Sequence, residues 1–133
     1  MLYMLDTNIC IYLVKRRSEM LVNRMRAFRT GEIGLSVMTV AELQYGVSKS
    51  ESKERNQAAL EAFLLPLDIA ELTVDVTLEY GRIRAELEKQ SCPIGPLDTI
   101  IAAHALVLDV PLVTNSTREF ERVQGLRVED WSQ

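Results

Sequence analysis

The stretch Leu2-Tyr3-Met4-Leu5-Asp6-Thr7-Asn8 joins a short apolar run to two polar side chains that are typical of helix starts. The apolar run favours a buried β-strand, and Asp6 and Asn8 favour the beginning of a helix that continues through Ile9 and Leu13. Strands alternate with helices along the rest of the chain. We therefore predict an α/β fold with a central parallel sheet that is flanked by helices on both faces.

The other elements follow from apolar periodicity and from glycine and proline positions. Further strands are predicted at residues 33–37, 67–69 and 111–114, with an edge strand at 125–128. Helices are predicted at residues 19–29, 39–46, 58–64, 73–90 and 97–108, and Gly31 is expected to take the left-handed conformation after the first of these. The polar stretch 48–55 is interpreted as a linker inside one domain, so that residues 1–133 form a single domain.

The composition indicates a globular protein. The chain has 133 residues, of which 47% are hydrophobic. No apolar run approaches the length of a membrane span, and the first residues lack the features of a secretory signal. Cys10 and Cys92 fit neither a zinc spacing nor a disulfide framework. We therefore expect a cytoplasmic protein with reduced thiols and no membrane association.

The net charge limits how the chain can contact nucleic acid. Its value is −4, which is the wrong sign for a general nucleic-acid binder. A contact with nucleic acid therefore requires a local basic patch, a metal site or a basic partner. Basic residues cluster at positions 15–17, 24–29 and 82–84; most are interpreted as solvated helix faces, and a minority as groups that steer a polyanion.

Three acidic residues, Asp6, Glu42 and Asp98, are each predicted at the start of a helix. In a parallel α/β sheet these helix starts gather at the carboxyl edge, where a helix dipole favours an ionised carboxylate. Carboxylate oxygens are the ligands that Mg²⁺ or Mn²⁺ prefers, and such an ion can activate water for attack on phosphorus. The pattern therefore predicts a magnesium-type site and phosphate chemistry.

Each acid also has a purely structural interpretation. Asp6 is a suitable N-cap, and Glu42 forms a capping box with Thr39. Asp98 follows Pro96 closely enough to be a first-turn acid that complements the helix dipole. The residue pattern alone leaves both interpretations open.

Other motifs give weaker indications. His104 is the single histidine, which excludes a zinc cluster or a histidine-based triad, and it is interpreted as a packed or surface residue. The nucleotide-binding glycine motifs are absent, and Asp6-Thr7-Asn8 lacks the second aspartate of a phosphotransferase motif. Residues 114–120 follow the fourth strand; they could contact phosphate or metal-bound water, or they could form a turn in which Ser116 or Thr117 caps a short helix.

Four blocks of the chain together resemble the PIN-domain ribonucleases, specifically the VapC-type toxins of bacterial toxin–antitoxin pairs. The blocks are residues 4–8 (MLDTN), 36–46 (SVMTVAELQYG), 95–105 (GPLDTIIAAHA) and 112–123 (LVTNSTREFERV). Their order and spacing agree as well as their residues. The resemblance implies a sheet of about five parallel strands and covers almost the whole chain.

The resemblance also implies a set of site residues. Asp6, Glu42 and Asp98 would hold Mg²⁺ or Mn²⁺. Many relatives carry a fourth acid where this chain has Ser116, and Glu119, one helical turn further on, is expected to replace it as a catalytic carboxylate. The residues expected at the phosphate or in the outer shell of the metal are Thr7, Asn8, Thr114, Asn115 and Ser116.

The implied activity is metal-dependent hydrolysis of a phosphodiester bond in tRNA, with the anticodon stem-loop of initiator tRNA as the expected target, which would inhibit translation. The implied partner is a VapB-type antitoxin, whose tail lays a helix in an apolar groove and directs a basic side chain at the acids. A homodimer is expected, with operator DNA contacted only through the antitoxin. Two alternatives are a non-catalytic binding or autoregulatory module on the same scaffold and a structure-specific DNA nuclease.

Overall fold

The sheet has five strands, all parallel. The computed structural model describes residues 1–15 and 18–132. Its strands are β1 (Tyr3–Leu5), β2 (Ile33–Ser36), β3 (Asp68–Ala70), β4 (Leu112–Val113) and β5 (Val128–Glu129). They lie in the order β3-β2-β1-β4-β5, with β1 at the centre. The predicted parallel sheet is confirmed.

The helices of the described residues connect these strands. They are α1 (Thr7–Val14), α2 (Glu19–Met25), α3 (Val37–Ser48), α4 (Lys53–Leu64), α5 (Val74–Lys89), α6 (Pro96–Leu108) and α7 (Thr117–Phe120). No helix in these parts of the chain is long and apolar enough to span a membrane.

Successive residues of β1 face opposite layers of helices, because strand side chains alternate between the two faces of a sheet. Met4 is fully buried with residues of α5, α6 and α7, whereas Leu5 is fully buried with residues of α1 to α4. The apolar run at the start of the chain is therefore the shared centre of two cores. The prediction of helices on both faces is confirmed.

Several predicted boundaries were wrong. Helix α2 ends at Met25 rather than at residue 29, and the chain then turns so that Phe28 packs against Trp131. The last strand lies at Val128–Glu129 rather than 125–128, because Gly125, at φ 87°, belongs to the preceding turn. The charged stretch predicted as a linker is partly helical, since α4 already begins at Lys53.

Other local predictions hold. Gly31 has a φ of 85°, the left-handed conformation expected of it, and its N–H donates to the carbonyl of Pro66 at 2.9 Å. Cys10 and Cys92 are both free thiols. The basic cluster predicted at residues 15–17 lies mostly outside the described residues.

An aromatic cluster joins the C-terminal segment to Tyr3, the first residue of β1. Trp131 is buried, with its ring stacked on Phe28 at a centroid distance of 5.4 Å and edge-on to Tyr3 at 4.9 Å. The guanidinium of Arg24 lies 4.9 Å from the Trp131 ring, and the indole N–H donates to Glu129 at 3.0 Å. These contacts hold residues 128–132 against β1 and the turn after α2.

Candidate active site

Asp6 lies at the carboxyl end of β1 and is the N-cap of α1. Its Oδ1 accepts a hydrogen bond from the N–H of Ile9 at 2.9 Å, and its Oδ2 accepts one from the hydroxyl of Thr114 at 2.5 Å. The residue is only 2% exposed. The structural role proposed for Asp6 is therefore real, and the same two hydrogen bonds fix the carboxylate at the edge of the sheet where the other acids gather.

The charge of Asp6 is held in an unfavourable environment. Burial raises the pKa of Asp6 to about 6; the hydrogen bonds from Thr114 and Ile9 oppose this rise, and the charges of Asp98 and Glu42 add to it. The carboxylate is thus mostly ionised at pH 7 despite its desolvation. An adjacent cation would stabilise this ionised form.

Glu42 lies in the second turn of α3, not at its start. The helix begins earlier than predicted because Ser36 is its N-cap and accepts a hydrogen bond from the N–H of Met38 at 3.1 Å. The predicted capping box between Thr39 and Glu42 was therefore wrong. Thr39 is instead buried and accepts a hydrogen bond from the hydroxyl of Thr7 at 3.3 Å, which ties the starts of α1 and α3 together.

Glu42 and Asp98 are half-buried acids with similar electrostatics. Partial burial raises the pKa of Glu42, the neighbouring Thr7 hydroxyl lowers it, and the charge of Asp98 raises it. Asp98 is in the first turn of α6, as predicted, two residues after Pro96. Burial raises the pKa of Asp98, and the charge of Glu119, in the first turn of α7, raises it further. Four acids from different parts of the chain therefore influence one another at one edge of the sheet.

The acids are neighbours without forming a closed metal cage. Within residues 1–15 and 18–132, no three carboxylate, imidazole or thiol groups converge closely enough to hold a metal ion. Charges interact over about 10 Å in 0.1 M salt, whereas a direct Mg²⁺–oxygen bond is about 2.1 Å long. The donor set nevertheless suits Mg²⁺ or Mn²⁺, because it is all carboxylate and carries mutually repelling charge. These side chains fit a hydrated cation with few direct protein ligands.

The segment after β4 supports Asp6 from the other side. Thr114 is buried; besides donating to Asp6, its hydroxyl accepts from the N–H of Ser116 at 2.9 Å. The amide of Asn8 donates to the Ser116 hydroxyl at 3.4 Å. Ser116 is also the N-cap residue of α7, but its side chain makes no capping hydrogen bond. Asn115, between Thr114 and Ser116 in the chain, is half-buried. Thr114, Ser116 and Asn8 thus form a hydrogen-bonded polar rim beside Asp6.

His104 is a packed residue, one of the two alternatives left open by the sequence. It is 1% exposed, and its Nδ1 lies 2.9 Å from the Ser36 hydroxyl. Burial lowers the pKa of His104, which favours a neutral ring. The sequence analysis missed this pair and the Thr7–Thr39 pair. A serine directly between strand and helix was the signal that could have identified Ser36 as a cap.

Comparisons with known proteins agree with this architecture. The sequence profile of the PIN domain family matches residues 3–126. Ribonuclease VapC2 of Rickettsia felis is 42% identical over 132 residues, and tRNA(fMet)-specific endonuclease VapC of Shigella flexneri is 45% identical over 130 residues; each match covers 98% of both chains. The structure of VapBC2 from Rickettsia felis bound to a promoter DNA fragment contains a chain with a TM-score of 0.92 and 41% identity, covering 98% of this chain and 99% of that one.

The chain therefore belongs to the PIN-domain family and, within it, to the VapC ribonucleases.

Proposed function

We propose that this protein is the toxin of a VapBC-type toxin–antitoxin module, a metal-dependent endoribonuclease that hydrolyses a phosphodiester bond in tRNA and so inhibits translation in the cytoplasm. The observation that carries the proposal is the group of coupled acids at the carboxyl edge, Asp6, Glu42, Asp98 and Glu119. The Shigella flexneri relative is a tRNA(fMet)-specific endonuclease. We infer the anticodon stem-loop of initiator tRNA as the target.

The proposed metal ligands are Asp6, Asp98 and Glu42, which would act in part through metal-bound water, because the described carboxylates do not converge in one closed cage. Bound there, Mg²⁺ or Mn²⁺ would supply an activated water and neutralise charge on the leaving oxygen. The chain's own contribution is orientation. Asp6 is fixed on both oxygens by backbone and hydroxyl donors, and the half-buried Glu42 and Asp98 flank it. Glu119 adds negative charge beside Asp98, so that a divalent ion is favoured over a monovalent one.

The polar rim of the site supplies contacts for the scissile phosphate. Asn8 is exposed beside Ser116, and the two side chains are already joined by a hydrogen bond. Thr7 follows Asp6 in the chain and lies next to Glu42. We assign these donors to phosphate or to metal-bound water, with Asn115 beside them. The same assignment makes Thr114 an outer-shell residue that holds the Asp6 carboxylate.

The proposed partner is a VapB-type antitoxin. An apolar groove of about 350 Å³ lies between the end of α1, α2 and the end of α4, with Leu13, Val22 and Phe63 in its lining. Such a groove suits the apolar face of an amphipathic helix. A basic side chain of the antitoxin would pair with the coupled acids and take the place of the cation. The VapBC2 complex of Rickettsia felis is bound to DNA; here we infer operator contact only through the antitoxin, with the toxin as a homodimer.

The test is cleavage of total tRNA by the wild type and by Asp98→Asn, with Mg²⁺ or Mn²⁺ and with excess EDTA. We expect cleavage by the wild type in the presence of metal, and its loss in the variant and in EDTA. Asp109→Asn is the matched control, because it makes the same change at the opposite edge of the sheet. Full cleavage in EDTA would contradict the proposal, and a flap DNA substrate cut in preference to tRNA would indicate a DNA nuclease.

A second candidate is a non-catalytic binding or autoregulatory module. The observation that favours it is the lack of a closed metal cage among the described residues. The two functions differ in what Asp6→Asn does to growth arrest in cells that express the protein. Loss of arrest supports the nuclease, and unchanged arrest supports the binding module.

A further inference from the structure

A second groove opens directly beside the acids. It has a volume of about 650 Å³ and lies between α1, α3 and the start of α4. Thr7 and Glu42 line it next to the other acids, and Lys15 and Lys49 are among its other lining residues. A molecule that reached the acids along this path would therefore meet two positive charges on the way.

Helix α3 presents one continuous stripe to this groove. Glu42, Tyr45 and Lys49 are spaced by three and four residues, which places them on one face of the helix. The stripe extends about 10 Å along the helix axis from Glu42 to Lys49. It begins with a carboxylate of the candidate site and ends with the ammonium of Lys49, with the ring of Tyr45 between them.

Tyr45 is more exposed than a structural role requires. It is 66% exposed, and the Lys49 ammonium lies 4.9 Å from the centroid of its ring. An exposed contact of this type contributes little to folding stability. The ring thus keeps most of its apolar surface in solvent, at a place where it is neither core nor cap.

We propose that the Glu42–Tyr45–Lys49 stripe is the RNA-binding track of the enzyme. A base next to the cleaved bond stacks on Tyr45, and Lys49 together with Lys15 contacts the adjoining phosphates. Every base has a face that can stack on an aromatic ring, and lysine binds phosphate as a point charge. This inference rests on the proposed ribonuclease function and names the residues that would hold its substrate.

Charge favours RNA over an antitoxin tail in this groove. A basic tail would be repelled by Lys15 and Lys49, whereas a phosphate backbone would be attracted to them. The groove between α1, α2 and α4 also carries Arg26 and Arg29, so its fit to an amphipathic helix rests on its apolar lining and not on charge.

The experiment measures binding without cleavage. A fluorescently labelled initiator-tRNA anticodon stem-loop is titrated with the full-length Asp98→Asn protein, alone and combined with Tyr45→Leu, Tyr45→Phe or Lys49→Gln. We expect Tyr45→Leu to weaken binding about 10-fold and Tyr45→Phe to stay within about 2-fold, because the phenyl ring still stacks. Lys49→Gln should weaken binding and reduce the slope of log K against log salt by about 0.7.

Arg127→Gln is the matched charge control, because Arg127 lies at the other edge of the sheet beside Asp109; it should leave RNA affinity unchanged. Thermal melts confirm that each variant is folded. Equal RNA affinity of Tyr45→Leu and Tyr45→Phe overturns the track. The same variants are titrated with a basic amphipathic peptide, and the track is also overturned if Tyr45→Leu weakens peptide binding and leaves RNA affinity intact. If the wild type cleaves tRNA but Tyr45→Leu does not weaken RNA binding, only the track is overturned. Tyr45-dependent RNA binding without wild-type cleavage would overturn only the proposed catalysis.

Discussion

The two edges of the sheet treat charge in opposite ways. At the amino edge, the terminal amino group of Met1 lies 3.7 Å from Asp68, and Arg127 lies 3.1 Å from Asp109. At the carboxyl edge, the charges that act on Asp6 are those of two further acids. The carboxyl edge gathers helix starts, whose dipoles favour negative charge, whereas the amino edge gathers helix ends. The difference between the edges therefore comes from the helix dipoles as well as from the side chains placed there.

This contrast shows that the carboxyl edge is the part of the sheet whose charges lower the stability of the fold. The Arg127–Asp109 pair is exposed on both sides and contributes little either way, and Asp68 in the other pair is about half exposed. The carboxyl edge holds a desolvated carboxylate among like charges, an arrangement that disfavours the folded state at neutral pH. Such an arrangement is expected at a functional site that binds a cation or a basic side chain.

The largest expected effect is on activity. Asp6→Asn keeps the shape of the side chain but removes its charge, and we expect tRNA cleavage to fall on the order of 1000-fold, the consequence of losing several kcal/mol of metal-dependent stabilisation. Asp109→Asn, the same substitution at the amino edge, should remain within about 2-fold of the wild type. Initial rates of cleavage measure both. Equal losses for the two variants would remove the distinction between the edges.

The next effect is on the pH dependence of stability. The pKa of Asp6 is raised from 3.8 to about 6 in the folded protein, so the folded state binds the proton more tightly than the unfolded state. Its contribution to stability is thus complete below pH 4 and is lost as the pH rises through 6, an upper bound of about 3 kcal/mol. Urea unfolding at pH 5.0 and 7.5 should show about half of this loss in the wild type relative to Asp6→Asn, because the other half already occurs below pH 5. A parallel pH dependence of the two proteins would contradict the assignment.

Metal should reverse the penalty at the carboxyl edge. At pH 7.5, Mg²⁺ at 100 times its Kd should stabilise the wild type by about 2.7 kcal/mol, because binding favours the folded state. Asp98→Asn should show a much smaller rise in Tm, whereas Asp109→Asn should match the wild type. Thermal melts with MgCl₂ and with ionic-strength-matched NaCl separate binding from salt screening. A rise of the same size in all three proteins would indicate a non-specific effect.

The smallest effect belongs to the amino edge. Arg127 and Asp109 are both exposed, with side chains 58% and 94% accessible, so Arg127→Gln should change the free energy of unfolding by less than about 1 kcal/mol. Denaturant unfolding at low and high salt measures it. A larger loss would show that this pair holds the end of α6 in place, and the contrast between the edges would then be one of structure as well as charge.

The sequence predicted the fold well because its signals are local. An apolar run followed by capping residues defines a strand and the helix after it, as at Met4 to Asp6. Asp98 was placed correctly for the same reason, since Pro96 marks the first turn of α6. Glu42 was misplaced within its helix because Ser36 ends a strand and caps a helix at once. A capping residue that is also the last residue of a strand gives a weaker sequence signal than the Thr39–Glu42 capping-box pattern.

What the sequence could not predict depends on packing between distant segments. The hydrogen bonds from Thr7 to Thr39 and from Thr114 to Asp6 join residues 32 and 108 positions apart. No periodic pattern encodes such pairs. The groove beside Tyr45 is lined by residues of four helices, α1, α3, α4 and α6, and no single helix predicts it. The pairing of the acids with a metal ion stays a prediction.

The aromatic cluster at the C-terminal segment gives this protein a built-in optical probe. Trp131 is the single tryptophan of the chain, and it is stacked on Phe28 beneath the guanidinium of Arg24. Its fluorescence therefore reports one place only, the seam between residues 128–132 and the turn after α2. Because Phe28 also lines the apolar groove, an inhibitor peptide bound there should shift the Trp131 emission. RNA bound in the groove beside Tyr45 should leave the emission spectrum unchanged.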